Sequence, residues 1–106
     1  MVLGNPMRKA LAAAIFAELG HERRLSIVLK LVKAAPGGLS MGELGRLTKI
    51  PNSTLSHHIN KLIAVKLISR KQDKQTLTCF VNLNQINVLS TFLLEKCCLN
   101  TSKTEC

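Results

Sequence analysis

Aromatic residues are scarce in this sequence. It contains no Trp, no Tyr and three Phe among 106 residues, so aromatic residues make up 3% of the chain. Proteins that hold single-stranded nucleic acid commonly stack its bases on aromatic rings, and a surface of that kind is therefore not expected here. Double-stranded DNA needs no such rings, because its bases are recognised from their edges in the grooves.

Acidic residues are also few, and no long hydrophobic run is present. Six Asp and Glu residues stand against 15 Lys and Arg, giving a net charge of +9. This excess favours a polyanionic partner, either nucleic acid or an anionic membrane surface. The apolar run "ALAAAIFA" is short and Glu18 interrupts its continuation, so it predicts a helix rather than a secretory signal or a membrane span. We therefore expect a cytoplasmic protein without a membrane partner, whose cysteines are reduced.

Catalytic motifs are missing as well. The sequence has no glycine-rich phosphate loop, no paired carboxylates and no Cys/His/Asp set that suggests a triad, so we predict that it is not an enzyme. The hydrophobic fraction of 46% argues against a disordered chain. Residues 1–106 are expected to form a single domain of a size that a second subunit often completes, which favours a homodimer.

Helical periodicity dominates the first third of the chain. A first helix is predicted over residues 6–19, followed by a second over "ERRLSIVLKLVKA". In the second helix Leu25, Val28, Leu29 and Val32 recur at a spacing that places them on one face, so they are predicted to face the core. The segment "APGG" is a turn signal that ends this helix.

Two further helices separated by a short turn come next. Ser40 followed by Glu43 is a capping-box pattern, which predicts a short helix over residues 41–49. Pro51 interrupts it, since proline is tolerated in the first turn of a helix but not in its interior. A new helix then opens in "NSTLSHHINKLIAVK", and the pair has the outline of a helix-turn-helix.

The second of these helices has one apolar and one polar face. Leu55, Ile59 and Leu62 share the apolar face. The opposite face can enter the major groove of DNA, where small polar side chains hydrogen-bond to base edges and lysine neutralises phosphate. The residues of this helix predicted to bind DNA are Ser53, Thr54, Ser56, His57, Asn60 and Lys61.

The periodicity changes after Lys66. The segment "LISRKQDKQTLTCFVNL" predicts a two-stranded hairpin, and a basic hairpin after a recognition helix is a wing. Its residues Arg70, Lys71 and Lys74 are predicted to bind the phosphate backbone. The expected fold is therefore mainly α with a small β-hairpin, a winged helix-turn-helix of about five helices plus a two-stranded wing.

A last helix is predicted after the wing. It begins near Asn84, a good N-cap residue, and continues through Cys98. Its apolar stripe is predicted to consist of Ile86, Leu89, Leu93 and Cys97.

The stretches "LGHERRLSIVLKLV" and "LSMGELGRLTKIPNSTLSHHINKLIAVKLISRKQ" resemble the ArsR/SmtB family of winged-helix metalloregulatory repressors. The resemblance covers roughly residues 15–98, and "STLSHHINKL" leading into the wing is its most specific part. It implies a homodimer built from the first and last helices, bound to double-stranded operator DNA and released when a metal ion binds. It also implies base contacts from the recognition helix.

The sequence departs from two metal sites of that family. Where one site has cysteines, this chain has Ser40 and Gly42. Where another has His and acidic ligands along the last helix, this chain offers no histidine and one carboxylate, Glu95, so no zinc is expected. The wing turn carries Asp73 and Lys74 instead of the glycine common in the family, and its type stays open.

The end of the chain, "EKCCLNTSKTEC", is similar to the end of arsenic-responsive family members. The resemblance implies an inducer site formed by Cys97, Cys98 and Cys106. Adjacent helical side chains diverge by about 100°, so a shared ligand requires the helix end to unwind or the tail over residues 99–106 to fold back. Three thiolates without a fourth ligand suit As(III) or Sb(III) better than zinc.

Several alternatives stay open. Cys106 and one of the adjacent pair would form a reversible disulfide in a redox-responsive regulator. Cys97 would otherwise be plain packing, with no sensing role for the tail. A winged helix that serves only as a protein-interaction module would bind DNA without sequence preference or steep salt dependence. Cys79, isolated in the second wing strand, is predicted to be a packing residue.

Overall fold

The computed structural model describes residues 7–95 of the chain. These residues form five helices and three strands in the order α1-α2-β1-α3-α4-β2-β3-α5. The helices are α1 (Lys9–Leu19), α2 (Glu22–Ala34), α3 (Met41–Thr48), α4 (Asn52–Ala64) and α5 (Leu83–Glu95), and the strands are β1 (Leu39–Ser40), β2 (Ile68–Asp73) and β3 (Thr76–Val81). No helix in this described part is long and apolar enough to cross a membrane.

The three strands form one antiparallel sheet in the order β1-β3-β2. β2 and β3 form the predicted hairpin, with Ile68 opposite Val81 at its base and Asp73 opposite Thr76 at its tip. β1 adds a two-residue edge, which pairs Leu39 with Cys79. The hairpin prediction is confirmed, whereas β1 was not predicted, because two residues are too short to show a period-2 pattern.

The start of α3 follows the predicted capping box. The Ser40 hydroxyl accepts a hydrogen bond from the Glu43 N–H at 3.1 Å, and the Glu43 carboxylate accepts one from the Ser40 N–H at 3.0 Å. The second of these bonds, reinforced by the Ser40 hydroxyl, lowers the pKa of Glu43. Two N–H groups that a helix start leaves without intrahelical partners are thus satisfied at the entrance to the helix-turn-helix.

Two predicted helix starts are displaced. α1 begins at Lys9, later than the predicted residue 6. At α5 the prediction that Asn84 is the N-cap is wrong. Asn82 caps this helix, because its side-chain oxygen accepts a hydrogen bond from the Gln85 N–H at 3.2 Å. The reason is that Val81 is still paired in the sheet, so the helix begins directly after the strand.

The prediction of which α2 residues face the core is mostly wrong. Ile27, Val28 and Leu31 are the buried residues of this helix. Of the predicted stripe only Val28 is buried, and Leu29 has a relative exposure of 58%. Apolar residues occupy both neighbouring faces of this helix, so periodicity alone could not decide which one faces the core.

The recognition helix α4 supplies much of the core that positions it. Leu55, Ile59 and Leu62 are fully buried, as predicted. On α5, Leu89 is buried and Ile86 packs against the core, while Leu93 is exposed. Cys97, the fourth member of the predicted α5 stripe, lies outside the described residues. With the hairpin following α4, this arrangement is a winged helix-turn-helix fold.

Candidate nucleic-acid interface

α3 and α4 are joined by a turn of three residues. Lys49 ends α3 in a left-handed conformation (φ 60°), and its N–H donates to the Gly45 carbonyl at 2.8 Å. Ile50 is buried, which anchors the turn to the core. Pro51 (φ −59°) occupies the N-cap position of α4, where its missing N–H costs nothing. The turn thus fixes the direction in which α4 leaves the core.

The outward face of α4 brings the predicted DNA-binding residues together. Leu55, Ile59 and Leu62 hold the inner face, so residues offset by about half a turn point to solvent. Among the predicted contacts, Ser53, His57, Asn60 and Lys61 are exposed, whereas Thr54 and Ser56 are half-buried. Hydroxyl, imidazole, amide and ammonium groups therefore share one helix surface of the kind that hydrogen-bonds to base edges and phosphates.

The wing carries the remaining predicted contacts. Arg70, Lys71 and Lys74 are all exposed. At its tip Lys74 has a left-handed conformation (φ 57°), and the Gln72 side-chain amide donates to the Lys74 carbonyl at 2.9 Å. The turn is therefore made without glycine, with a lysine in the conformation that glycine usually supplies.

An open cleft separates the recognition helix from the wing. Ser53 and Ser56 of α4 line one side, and Gln75 and Thr76 of the wing tip line the other. Ser40, at the start of α3, also borders this cleft. The helix starts of α3 and α4 and the end of the wing therefore open onto one cleft, which Met41 and Leu77 also line.

Positive charge covers this part of the molecule. All seven basic residues between positions 46 and 74 are exposed, while the same stretch contains a single acidic residue, Asp73. They are Arg46, Lys49, Lys61, Lys66, Arg70, Lys71 and Lys74. An exposed cationic surface around a recognition helix is the electrostatic footprint of a nucleic-acid-binding protein.

Behind this surface, His58 faces the interior. It is a buried residue with a relative exposure of 4%. Arg24 donates its Nε–H to Nδ1 of His58 at 3.0 Å and forms an ion pair with Glu18. Burial lowers the pKa of His58, and the neighbouring charges of His21 and Arg24 lower it further. This group is structural, and sequence periodicity gave no signal for a pair of residues 34 positions apart.

Of the four cysteines, Cys79 alone lies within residues 7–95, the part that the structure describes. Cys79 is fully buried and its thiol donates to Met41 Sδ at 3.5 Å. Burial raises the pKa of this thiol, which suits the predicted packing role. The predicted inducer ligands Cys97, Cys98 and Cys106 lie outside the described residues. Within residues 7–95, no group of three or more His, Cys, Asp or Glu side chains is placed to hold a metal ion.

The chain is similar to known transcription regulators in both sequence and structure. A family model described as a helix-turn-helix domain matches residues 19–70, the part from the end of α1 into β2. The HTH-type transcriptional regulator YgaV of Escherichia coli (strain K12) is 29% identical over 87 residues, which are 82% of this chain and 86% of YgaV.

Solved structures agree with this similarity. HlyU from Vibrio cholerae N16961 has a TM-score of 0.68 and 26% identity, with coverage of 84% of this chain and 96% of HlyU. An ArsR family transcriptional regulator has a TM-score of 0.72 over 85% of this chain and 90% of its own, but at 18% identity it shows the fold alone. Together these comparisons show a winged helix-turn-helix fold and a similarity in sequence to a transcriptional regulator.

Proposed function

We propose that this protein is a homodimeric transcriptional repressor that binds double-stranded operator DNA and is released from it by As(III) or Sb(III). The observation that carries the DNA-binding part is the outward face of α4, where Ser53, His57, Asn60 and Lys61 are exposed together beside a basic wing. In this proposal α4 enters the major groove, and Arg70 and Lys71 of the wing bind flanking phosphates.

Apolar side chains on the first and last helices support the homodimer. Phe16 on α1 and Leu83 and Leu93 on α5 have relative exposures of 43%, 49% and 46%. Burying such side chains against a second copy is favourable by about 25 cal/mol per Å² of apolar surface. Two recognition helices related by a twofold axis would then occupy successive major grooves of a pseudo-palindromic operator.

The inducer part of the proposal rests on the sequence of the tail. Cys97, Cys98 and Cys106 would supply three thiolates to one As(III), which prefers soft sulfur ligands. Cys97 follows the last described residue of α5 by two positions, so the ion would act next to a helix of the proposed dimer interface. A coupling of about 1–3 kcal/mol between the two sites is enough to weaken DNA binding about 5- to 150-fold.

Fluorescence anisotropy of the reduced protein on its own promoter fragment tests both parts. We expect a salt-dependent affinity for that fragment above the affinity for scrambled DNA, and release at about one As(III) per subunit. Zn(II) and a mild oxidant are titrated separately as controls. Release by oxidant alone would replace the arsenic site by a thiol–disulfide switch, and equal binding to both DNAs would contradict the repressor.

Variants of single cysteines locate the inducer site. Cys97→Ser, Cys98→Ser and Cys106→Ser are each expected to abolish release by As(III) while DNA binding persists. Cys79→Ala is the matched control, because this thiol is buried in the wing and contacts Met41. An unchanged response in all three tail variants would show that the inducer site lies elsewhere.

A further inference from the structure

Lysines occupy every left-handed position in the described part of the chain that is not a glycine. Among residues 7–95, the non-glycine residues with positive φ are Lys49 (60°), Lys66 (64°) and Lys74 (57°). A Cβ atom in this conformation crowds the adjacent carbonyl oxygen, which is why glycine usually takes such positions. The chain itself uses glycine at Gly38, where φ is 76°. Lys49 and Lys66 follow the ends of helices, where a left-handed residue is common and is usually glycine.

Lys49 and Lys66 bracket the recognition helix. Lys49 ends α3 and lies three residues before Asn52, the first residue of α4, while Lys66 lies two residues after Ala64, the last. A helix of 13 residues is about 20 Å long. This length exceeds the width of the major groove, which is about 12 Å.

The backbones of both lysines are fixed, but their ammonium groups are not. The Lys49 N–H donates to Gly45, and the Lys66 N–H donates to Ile63 at 2.9 Å. The Lys66 carbonyl also accepts a hydrogen bond from the Asn82 amide at 3.0 Å. Within residues 7–95 neither side chain forms an ion pair or a hydrogen bond, and both are exposed. The Cα atom of each lysine is therefore held at a defined place, while its ammonium group is available to an anion.

The surroundings of Lys66 fit an anion in particular. It lines a cleft at the base of the wing together with Arg70, Ser69 and Asn82, and no acidic residue among positions 7–95 lines this cleft. Two cations and the Ser69 hydroxyl in one cleft match the donors that bind phosphate groups in protein–DNA interfaces.

We propose that Lys49 and Lys66 each bind a DNA phosphate, at opposite ends of the recognition helix. Their charge explains why lysine occupies positions where glycine would be less strained. This inference rests on the proposed DNA binding and adds two contacts to the predicted set, which contained Lys74 but neither of these residues. The bonds go to phosphates, so they hold α4 in the groove without selecting a sequence.

The substitutions Lys49→Gly and Lys66→Gly test the inference, because stability and affinity should change in opposite directions. Each variant is expected to raise Tm by about 2–6 °C as the strain is relieved. Each should also reduce the slope of log K against log salt by about 0.9 per lost contact, a loss of about 5- to 10-fold at 0.1 M salt. Operator and scrambled DNA should lose affinity equally.

Three controls separate charge from conformation. Lys49→Ala loses the charge but keeps the strained backbone, so affinity should fall without a rise in Tm. Lys49→Arg should retain the salt slope. Lys33→Gln removes an exposed charge from α2, and its slope should equal that of the unsubstituted protein.

The outcomes distinguish this inference from the proposed function. Wild-type protein that shows no salt-dependent DNA binding would overturn the DNA-binding function itself. Wild-type protein that binds DNA while both glycine variants keep its salt slope would overturn only the role of Lys49 and Lys66. A reduced slope in both glycine variants, together with a higher Tm, is the result that the inference requires.

Discussion

Arg24 of α2 donates its Nε–H to Nδ1 of His58 on the recognition helix, with 3.0 Å between the two nitrogens. The same guanidinium pairs with Glu18 of α1, so one side chain connects three helices behind the proposed DNA-binding surface. Arg24 and Glu18 are 14% and 23% exposed, so solvent screens this pair only in part. The position of α4 therefore depends on a polar contact as well as on its apolar face.

Removing the guanidinium should destabilise the fold. Arg24→Leu leaves the buried Nδ1 of His58 without its donor, which costs about 1–3 kcal/mol of unfolding free energy. Urea unfolding at pH 7.5 measures this difference. Arg23→Leu is the matched control, since Arg23 is exposed and its loss should change stability by less than about 0.5 kcal/mol. Equal effects of the two variants would show that the His58 contact contributes nothing.

Stability should fall in mild acid because of His58. Burial lowers its pKa below the ordinary 6.5, so near this pH the unfolded chain binds more protons at this residue than the folded chain does. The contribution is fully present above pH 6.5 and is lost as pH falls from there to the lower pKa of the folded state. A series of urea unfolding curves between pH 5 and 8 should show this slope.

Variants of the two adjacent histidines show which residue causes this pH dependence of stability. His58→Gln should flatten it, because the buried titrating ring is gone. His57→Gln removes an exposed ring from the same helix and should leave it in place. A slope that survives His58→Gln unchanged would assign the acid sensitivity to other groups.

Asn60 and Lys61 of the recognition helix should contribute to DNA binding in different ways. Both are exposed on the outward face of α4. Asn60→Ala should reduce the preference for operator over scrambled DNA by about 1–3 kcal/mol, as expected for a base contact. Lys61→Ala should weaken both complexes alike and reduce the salt slope. Anisotropy titrations at several salt concentrations measure both quantities, and loss of preference in the lysine variant alone would reverse the assignment.

The local elements were predictable because each has a short-range signal. The capping box at Ser40 and Glu43 marked the start of α3, and the stripe Leu55, Ile59 and Leu62 marked the buried face of α4. These signals depend on neighbours within one or two helical turns. Short-range signals of the same kind also marked the polar face of α4 and the basic hairpin.

The features that could not be predicted from the sequence depend on tertiary contacts. The helices and strands that pack against α2 determine which of its faces is buried. As a result Ile27 is buried and Leu29 is exposed. The α5 start depended on where the sheet ends, which made Asn82 the cap. The left-handed backbone of Lys49 and Lys66 has no sequence signal, since lysine is not a residue that favours this conformation.

Cys79 should resist alkylation in the native protein. It is fully buried, and burial raises the pKa of its thiol, so little of the reactive thiolate is present. Treatment with iodoacetamide at pH 8, followed by peptide mass spectrometry, should modify Cys79 only after denaturation. Rapid modification under native conditions would show that β3 opens readily, and Cys79→Ala would then be an unsuitable control for the tail cysteines.

Gln85 should transmit the inducer signal from α5 to the recognition helix. Its side-chain amide donates to the Val65 carbonyl at 3.1 Å, so the start of α5 holds a carbonyl that the end of α4 leaves without an intrahelical partner. Gln85→Ala should leave the separate affinities for DNA and As(III) nearly unchanged. The coupling free energy between them should fall by about 0.5–1.5 kcal/mol, the net value of one hydrogen bond.

The coupling is obtained from DNA affinities measured with and without saturating As(III). Asn84→Ala is the control, because Asn84 is the exposed neighbour of Gln85 on the same helix turn. If the tail site acts through α5, only the Gln85 variant should bind DNA more tightly than wild type in the presence of As(III). A full inducer response in that variant would mean that the signal reaches α4 by another route, such as a change across the proposed dimer interface.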